Sequence, residues 1–303
     1  MKIATVIVTY NAESFIEKCI RSLEQVDVDS SIIVIDNGSS DRTTQIIKDN
    51  FSQVQLIESE VNLGFGKANN LGINLALSQQ ADFVFLLNQD AWLEKDAFSQ
   101  LLTVAEVHPE YGILSPLHLK YDGSDWHKGF RRYIEMFAPS LLVEIETAPA
   151  GVYEVDFVPA ALWLLSSSAL KTAGGFDPIY FMYGEDNDLA ARIRAAGFKV
   201  GVAPAAKGYH MEKNFSDRGV PVRRLVSKYF SSYIAILKYS HHNIVWRYFS
   251  ILKSAVRDAF KKLIQDKQKE AKAIFFAIFK ILKIIPDIEA SRKEIQDEGA
   301  FLN

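Results

Sequence analysis

Short apolar runs alternate with helical patterns in the first part of the chain, and this alternation constrains the fold more than any other feature. The runs are rich in β-branched and aromatic residues, as strands buried on both faces are. They lie at 3–8, 32–35, 54–57 and 83–87. Helical patterns separate them near 13–25, 41–50 and 66–79. This β-α-β-α order predicts an α/β fold with a Rossmann-like, mostly parallel sheet and helices on both faces.

Polar segments follow three of these predicted strands, at 9–11, 36–41 and 88–90. Ligands of such sheets bind beyond the carboxyl ends of the strands. Each segment also has a purely structural interpretation, since Asn11 and Asp41 are typical helix N-caps and Asn37 precedes a glycine in a typical turn. All three segments fall at one edge of one predicted sheet. Together they indicate a nucleotide site.

The segment 88–90 also bears on metal binding, because a cation bound to a diphosphate needs a few hard oxygen ligands and positions left free for phosphate. Asp90 could bind a metal directly, whereas Asn88 could serve only as a neutral ligand or position a water or a ribose hydroxyl. His210 follows the last predicted strand, at 198–202. Its imidazole either completes a metal shell with Asp90 or is structural.

A second acidic cluster, formed by Glu185, Asp186 and Asp188, opens a predicted helix. Carboxylates favour the first helical turn through the helix dipole. Three of them within four residues exceed what capping needs and repel one another, which is tolerated where a metal, a substrate or a shifted pKa benefits. A sugar transfer that inverts configuration needs one carboxylate to take the acceptor proton. The cluster is therefore a candidate for that base.

Charge is distributed unevenly along the chain. Residues 1–217 carry 29 Asp and Glu against 17 Lys and Arg, whereas residues 218–303 carry 17 Lys and Arg against 8 Asp and Glu. We therefore predict a catalytic domain at 1–217 and a basic, amphipathic helical region at 218–303. The single cysteine, Cys19, excludes an intrachain disulfide and is interpreted as a small core residue of a reducing compartment. The first residues form a predicted strand rather than a signal peptide, which favours a cytoplasmic location.

Six ordered blocks resemble family-2 glycosyltransferases of the GT-A fold, and within them the bacterial rhamnosyltransferase-like group. The resemblance covers roughly residues 1–235. Its blocks lie at 6–11, 35–41, 62–72, 86–91, 174–177 and 183–189, followed by Arg192. Two positions depart from the pattern: Asn88 stands where many relatives carry aspartate, and Ala160 stands where relatives often carry glycine. The methyl group of Ala160 is expected to narrow the acceptor pocket.

The resemblance implies roles for particular residues. The donor base and ribose are expected to be held by Thr9, Tyr10, Asn11 and Asp36. Lys67 and Asn70 are expected near the nucleotide or its phosphates, and Asn88 beside the donor.

The resemblance implies the chemistry as well. Asp90 is expected to bind Mg²⁺ or Mn²⁺ with His210 as the second protein ligand, and Asp186 to be the catalytic base with Glu185 beside it, facing the acceptor. Trp163 is expected to pack against a sugar ring or in the core.

These implications lead to an inverting, metal-dependent glycosyltransferase. The donor is expected to be dTDP-L-rhamnose first and a UDP-hexose next. The acceptor is expected to be a saccharide hydroxyl on a lipid-linked or cell-surface polysaccharide intermediate. A non-catalytic sugar-nucleotide-binding or scaffolding protein is the alternative. A nucleotidyltransferase would carry an N-terminal glycine-rich loop, and residues 1–11 contain no glycine.

The basic region contains a twelve-residue apolar run at 274–285, shorter than the roughly 20 residues that span a bilayer. Lys269, Lys272, Lys280 and Lys283 fall near one face of the predicted helix. A second apolar set lies upstream, at Tyr229, Phe230, Tyr233, Ile234 and Leu237. The region either packs on the body or on a second subunit of a homodimer, or docks on the anionic inner face of the cell membrane. Nucleic acid is not an expected partner, because the aromatic residues sit within aliphatic runs.

Overall fold

The computed structural model describes residues 1–211 and 221–302. The predicted boundary between residues 217 and 218 lies outside the described residues. The strands are β1 (Ile3–Thr9), β2 (Ser30–Asp36), β3 (Gln55–Glu58), β4 (Phe83–Asn88), β5 (Ala91–Leu93), β6 (Tyr111–Lys120), β7 (Tyr153–Val155), β8 (Leu162–Ser166) and β9 (Lys199–His210).

The helices of the α/β body are α1 (Ile16–Leu23), α2 (Thr43–Asn50), α3 (Phe65–Ser78), α4 (Ala97–Val107), α5 (Lys128–Phe137), α6 (Ser140–Thr147), α7 (Ser167–Ala173) and α8 (Glu185–Ala195). The C-terminal helices are α9 (Val222–Tyr239), α10 (Ile244–Ile264), α11 (Gln268–Lys283) and α12 (Ile285–Glu294).

The described strands form one sheet in the order β3-β2-β1-β4-β8-β6-β9-β5, with β7 paired to β9. The four strands predicted from the apolar runs are β1 to β4, and they pair in parallel. Beyond β4 the sheet is mixed, because β8 runs antiparallel to both β4 and β6. The predicted α/β fold with C-terminal helices is confirmed, and its purely parallel part ends at β4.

Both faces of the sheet are buried, as the apolar runs indicated. Alternate residues of β1 point to opposite layers: Val6 belongs to the core that includes residues of α3, α5 and α8, and Ile7 belongs to the core that includes residues of α1, α2 and α4. Gly72 allows α3 to approach β1, since a Cβ at this position would lie 2.3 Å from a methyl carbon of Val6. Cys19 is buried in the second layer, as predicted, and burial raises the pKa of its thiol.

The C-terminal helices bury an apolar core of their own. Phe230, Tyr233, Ile234 and Leu237 of α9 pack against α10, α11 and α12. The apolar run at 274–285 is divided between this core and the surface, because Ile274, Ala277 and Ile281 are buried while Phe275, Phe276, Phe279 and Leu282 are exposed. None of the helices in the described residues has the length and apolarity needed to cross a membrane.

A buried charge network joins these helices to the α/β body. The Lys238 ammonium of α9 lies 2.5 Å from Asp177 Oδ2 and also contacts Asp188 Oδ1. Arg192 Nε lies 2.9 Å from Asp188 Oδ2, and Ser291 of α12 donates a hydrogen bond to Asp177 at 2.5 Å. Burial would raise the pKa of Asp188, but Lys238 and Arg192 hold it below its usual value. Both ions of each pair are almost fully shielded from water.

The residues that follow α12 also pack on the body. Gly175 N donates to Ala300 O at 2.8 Å, and Asn70 Nδ2 donates to Phe301 O at 2.9 Å. A Cβ at Gly174 would lie 2.0 Å from Ala300 O, so this position has no room for a side chain. The helical region is therefore joined to the body by the charge network and again near its C-terminal end.

We expect Lys238→Met to lower the free energy of unfolding by about 3–5 kcal/mol, because it leaves two buried carboxylates without their ammonium. Urea unfolding followed by circular dichroism measures this. Lys261→Met is the matched control: Lys261 is exposed and makes no ion pair within the described residues, so its removal should change stability by less than about 0.5 kcal/mol. Equal midpoints for the two variants would contradict a stabilising role for the network.

Candidate active site

A cleft with a volume of about 310 Å³ opens at the carboxyl edge of the sheet. The register of β1 sets its floor, since Thr9 pairs with Asp36 and Val8 pairs with Asn88. The predicted site residues that line it are Tyr10, Asn88, Asp90, Glu185, Asp186 and His210. Residues of the three polar segments therefore meet at the sheet edge that the alternation of strands and helices predicted. Glu185 and Asp186, at the start of α8, line the same cleft.

Of the four residues predicted to hold the donor base and ribose, Tyr10 lines this cleft, whereas Thr9, Asn11 and Asp36 are not among its lining residues. The Thr9 hydroxyl is fully buried and donates to Asp36 Oδ1 at 2.8 Å. Asp36 Oδ2 accepts from Ser39 N at 2.9 Å, which fixes the loop after β2. Asn11 Oδ1 accepts from Ser40 N at 2.9 Å and ties the two loops together. Tyr10 differs from these, since its ring is 48% exposed and borders the cleft.

Asn37, which belongs to the predicted polar segment 36–41 but was not assigned a role of its own, lines the cleft as well. Its side-chain oxygen accepts from Leu63 N at 2.7 Å, and its Nδ2 donates to Gly64 O at 3.1 Å. Asn62, which also lines the cleft, accepts from Asn37 Nδ2 at 3.2 Å. The sequence signal for this part of the cleft was the block at 62–72, since Asn62 and Phe65 of that block line the cleft.

The structure does not bring Asn70 to the cleft, and the prediction for this residue is corrected. Its side chain is buried, accepts from Phe176 N at 2.8 Å and donates to both Phe176 O and Phe301 O. These bonds use both Nδ2 protons and hold the buried amide against Phe176 and the C-terminal residue Phe301, and Asn70 is not among the residues that line the cleft. Lys67 is exposed on the first turn of α3 and is not among the cleft-lining residues.

The pair predicted to bind a metal lies on the opposite wall. Pairing of β5 with β9 sets Ala91 across from His210 and brings His210 Nε2 to 3.4 Å from Asp90 Oδ1. Asn88 Nδ2 is also 3.4 Å from His210 Nε2. A carboxylate oxygen and an imidazole nitrogen facing one cleft suit Mg²⁺ or Mn²⁺, with other coordination positions left to phosphate. No group of three ligating side chains that could hold an ion occurs among the described residues.

Two further histidines, which the sequence did not single out, stand behind His210. The His127 ring centroid is 4.7 Å from that of His210, and that of His118 is 6.5 Å away. Burial, reinforced by the other two histidines, lowers the pKa of His118 well below its usual value. His118 Nε2 is 2.9 Å from Ser115 Oγ. A neutral, hydrogen-bonded His118 therefore lies behind the wall formed by Asp90 and His210 without adding charge.

The acidic cluster is divided by the start of α8. Tyr183 and Gly184 have positive φ angles of 72° and 99°, and this left-handed turn directs Glu185 and Asp186 towards the cleft. A Cβ at Gly184 would lie 2.6 Å from the Cβ of Ser231 in α9. Asp188 lies on the other side of the helix, in the charge network. The division pairs Asp188 with cations, whereas Glu185 and Asp186 remain close enough to repel each other.

Both cleft-facing carboxylates have raised pKa values. Burial, followed by the charge of Asp186, raises the pKa of Glu185 to about 8. Its Oε2 atom is buried and has no hydrogen-bond partner among the described residues. Burial also raises the pKa of Asp186, against hydrogen bonds that include one from Asn187 N at 2.8 Å. A base whose pKa approaches neutrality takes a proton more effectively at physiological pH.

Trp163 does not reach this cleft. Its side chain is fully buried, its ring stacks on Phe176 at 6.4 Å, and its Nε1 donates to Val158 O at 3.0 Å. The core-packing interpretation is therefore confirmed. Ala160, the departure noted from the family pattern, does line the cleft.

A mixed α/β sheet with a polar cleft at its carboxyl edge and a carboxylate pair at a helix start defines the class of protein, a glycosyltransferase of the GT-A fold. Residues 5–172 match the family described as Glycosyl transferase family 2. The chain belongs to this family.

Curated relatives include two rhamnosyltransferases. N-acetylglucosaminyl-diphospho-decaprenol L-rhamnosyltransferase of Mycobacterium tuberculosis is 29% identical over 266 residues, which cover 80% of this chain and 85% of the relative. Rhamnosyltransferase WbbL of Escherichia coli is 26% identical over 68% of this chain and 81% of the relative.

Solved structures with a similar fold include TarS of Staphylococcus aureus. Its 1–349 fragment superposes with a TM-score of 0.60 at 15% identity, covering 97% of this chain and 89% of that one. The same fragment in complex with UDP-GlcNAc gives a TM-score of 0.57 at 16% identity. Against a longer TarS chain, the match spans 42% of that chain. At these identities the likeness shows the fold.

We expect Glu185→Gln to raise the melting temperature relative to wild type by an amount that grows between pH 5 and 8 and then levels off. The reason is that the unfolded carboxyl ionises near its ordinary pKa of 4.5, whereas the folded one stays neutral until about pH 8. Folding therefore takes up a proton in that window, and wild-type stability falls there. Thermal melts across the pH range measure the difference. Glu60→Gln, which removes an exposed carboxylate, is the control. A pH-independent difference would mean that Glu185 is ionised in the native state.

Proposed function

We propose that this glycosyltransferase is inverting and metal-dependent, and that it moves one sugar from a nucleotide-sugar donor to an acceptor hydroxyl. The observation that carries the proposal is that the carboxylate pair Glu185 and Asp186 and the pair Asp90 and His210 line one cleft. In-line displacement needs a base on the acceptor side and charge neutralisation on the leaving-group side. The cleft supplies residues for both.

The donor end is preorganised by its loops. The Asp36, Ser39 and Asn11 hydrogen bonds hold the segments after β1 and β2 in place before a ligand arrives, which reduces the ordering needed on binding. The exposed Tyr10 ring offers a face on which the nucleotide base can stack. Asp90 and His210 would hold Mg²⁺ or Mn²⁺, which when bound neutralises charge on the departing nucleoside diphosphate.

We assign the acceptor side of the cleft to Glu185 and Asp186, the two carboxyl groups with raised pKa values. Asp186 takes the proton of the acceptor hydroxyl as the oxygen attacks the anomeric carbon from the face opposite the leaving group. Such an attack inverts the configuration at that carbon. Glu185 is neutral at pH 7 and therefore adds no second negative charge beside Asp186. Its protonated carboxyl can donate a hydrogen bond to a sugar hydroxyl.

The proposed donor is dTDP-L-rhamnose, with a UDP-hexose as the second candidate. Two relatives that align over two thirds or more of this chain are named rhamnosyltransferases, which supports the first. TarS, named for N-acetylglucosamine transfer and solved with UDP-GlcNAc, supports a UDP-sugar as the second.

The proposed acceptor is a lipid-linked intermediate of a cell-surface polysaccharide, met at the inner face of the cell membrane by a cytoplasmic, peripheral enzyme. The Mycobacterium tuberculosis relative is named for an acceptor sugar carried on diphospho-decaprenol. Phe181, Met182 and Tyr183 are exposed beside the cleft and give its edge an apolar character suited to such a molecule.

Asp186→Asn should abolish transfer from dTDP-L-rhamnose and leave donor affinity within about threefold, because a base acts in the chemical step. The expected loss in kcat is ~10²–10⁴-fold. Asp122→Asn, which changes an exposed turn carboxylate, is the matched control and should retain full activity. A variant that keeps more than about a tenth of the wild-type kcat would exclude Asp186 as the base. Absence of donor hydrolysis by the wild type with any nucleotide sugar would favour the non-catalytic alternative.

Asp90→Ala should remove the thermal stabilisation that dTDP and Mn²⁺ together give the wild type, because one of two protein ligands is lost. EDTA added to the wild type should reproduce the loss, whereas Asp96→Ala, on the exposed side of the loop before α4, should not. The same measurement with UDP in place of dTDP shows which of the two nucleotides the site prefers. Equal dTDP affinity of the wild type with and without EDTA would contradict the metal-dependent site and leave Asp90 with a structural role.

A further inference from the structure

The outward face of α10 carries a continuous apolar stripe. Its members recur every three or four residues, which places them on one side of the helix. They are Val245, Phe249, Leu252, Val256, Phe260 and Leu263, and each is more than half exposed. The buried side of the same helix is supplied by other residues, among them Ile251 and Ala255. The stripe is therefore a second apolar face, separate from the one that packs on α9 and α11.

Helix α11 extends this stripe. Phe275, Phe276, Phe279 and Leu282 are also more than half exposed. A shallow groove lined by Ala259 and Leu263 of α10 and by Phe275 and Phe276 of α11 joins the two sets. We call the combined area the α10–α11 surface. An exposed apolar patch of this extent marks an interaction site.

The charges on these two helices are sorted in a way that identifies the partner. Their carboxylates face the protein: Asp258 accepts from the Tyr233 hydroxyl at 3.3 Å, and Glu270 accepts from the Tyr229 hydroxyl at 2.8 Å. The lysines Lys253, Lys272 and Lys283, which border the apolar residues, are exposed and make no ion pair within the described parts of the chain. The α10–α11 surface is thus apolar with a positive margin.

We propose that the α10–α11 surface docks on an anionic membrane, with α10 lying in the plane of the interface, its apolar stripe at the boundary of headgroups and acyl chains, and its lysines on the headgroup phosphates. An apolar face bordered by lysines is the pattern of helices that lie in an interface. This docking rests on the proposed function only for its biological purpose, which is to reach a lipid-linked acceptor. Docking itself requires no catalysis.

A second copy of the chain is the competing occupant, and the charges disfavour it. In a two-fold symmetric contact the same patch meets itself, so the lysine margins of the two copies would face one another. Like charges across an interface are unfavourable. A bilayer with anionic headgroups meets the apolar stripe and the lysines with complementary groups at the same time.

The position of α9 connects this surface to the active site. α10 and α11 both pack on α9. On the side facing the body, Ser231 of α9 donates a hydrogen bond to Tyr183 O, beside the cleft. Lys238 fixes the same helix to Asp177 and Asp188. Docking through α10 and α11 would therefore hold the cleft at a set orientation to a substrate confined to the membrane.

Sedimentation with phosphatidylcholine vesicles, with and without phosphatidylglycerol and at low and high salt, tests the proposal on the full chain. The wild type should bind the anionic vesicles at low salt and weaken as salt screens the lysines. Lys253→Glu, Lys272→Glu and Lys283→Glu together should weaken binding by at least ~100-fold, since each basic residue near an anionic surface contributes about a factor of five. Lys95→Glu and Lys171→Glu, on the body, are the charge control.

The apolar contribution is tested by Phe249→Ser, Val256→Ser and Phe260→Ser together, which should also weaken binding by at least ~100-fold because each removes buried hydrocarbon from the interface. Val107→Ser and Val143→Ser, exposed on the body, are the matched control. Unchanged melting temperatures and unchanged hydrolysis of a soluble donor show that the variants are folded, and they separate a failure of docking from a failure of the proposed transferase.

Trp246 provides a direct reading of insertion. It is 58% exposed at the edge of the stripe, whereas Trp92, Trp126 and Trp163 are buried. Anionic vesicles should shift the tryptophan emission to shorter wavelength, brominated lipid should quench it, and Trp246→Tyr should abolish both effects. The proposal is overturned if the wild type ignores anionic vesicles at low salt. It is also overturned if the wild type is a dimer that the three serine substitutions convert to a monomer, since a second copy then covers the surface.

Discussion

The structure depends on the compensation of two buried carboxylates by one lysine. Asp177 and Asp188 come from the α/β body, and Lys238 comes from α9, 61 and 50 residues further along the chain, respectively. A buried charge without its partner is strongly unfavourable, so the body and the C-terminal helices hold each other in one arrangement. α8 begins between these carboxylates, and its first turn carries Glu185 and Asp186. The placement of these two cleft-facing carboxylates therefore depends on helices that are remote in sequence.

The same helix start shows how environment assigns different tasks to one residue type. Asp188 and Asp186 are two positions apart, yet Lys238 and Arg192 hold the pKa of Asp188 low while burial raises that of Asp186. Glu185 shares the second environment. Carboxyl groups whose pKa values are pushed apart can serve as a fixed ion and as a proton acceptor respectively. The cluster thus contains one structural anion and two groups suited to proton chemistry.

The C-terminal helices connect the chemistry to the outer surface. α9 contacts the cleft loop through Ser231 and carries α10 and α11 on its other side. The acidic body and the basic C-terminal region, which differ in charge along the sequence, therefore present different faces to solvent. An anionic surface would repel a negative body and attract the lysine-bordered helices, so the proposed docking would have a single favoured orientation.

The sequence by itself determined the α/β class, the strands β1 to β4 and the sheet edge where Tyr10, Asn88 and Asp90 meet. Alternation reports which residues are buried, and a parallel sheet gathers strand ends at one edge. Only the tertiary structure decided which residues the buried polar side chains pair with. Asn70 forms hydrogen bonds with residues 106 and 231 positions away. Asp188 pairs with Lys238 and does not face the cleft with Glu185 and Asp186. The exposed stripe of α10 was equally beyond the sequence, because periodicity shows that a helix has an apolar face but does not show what covers it.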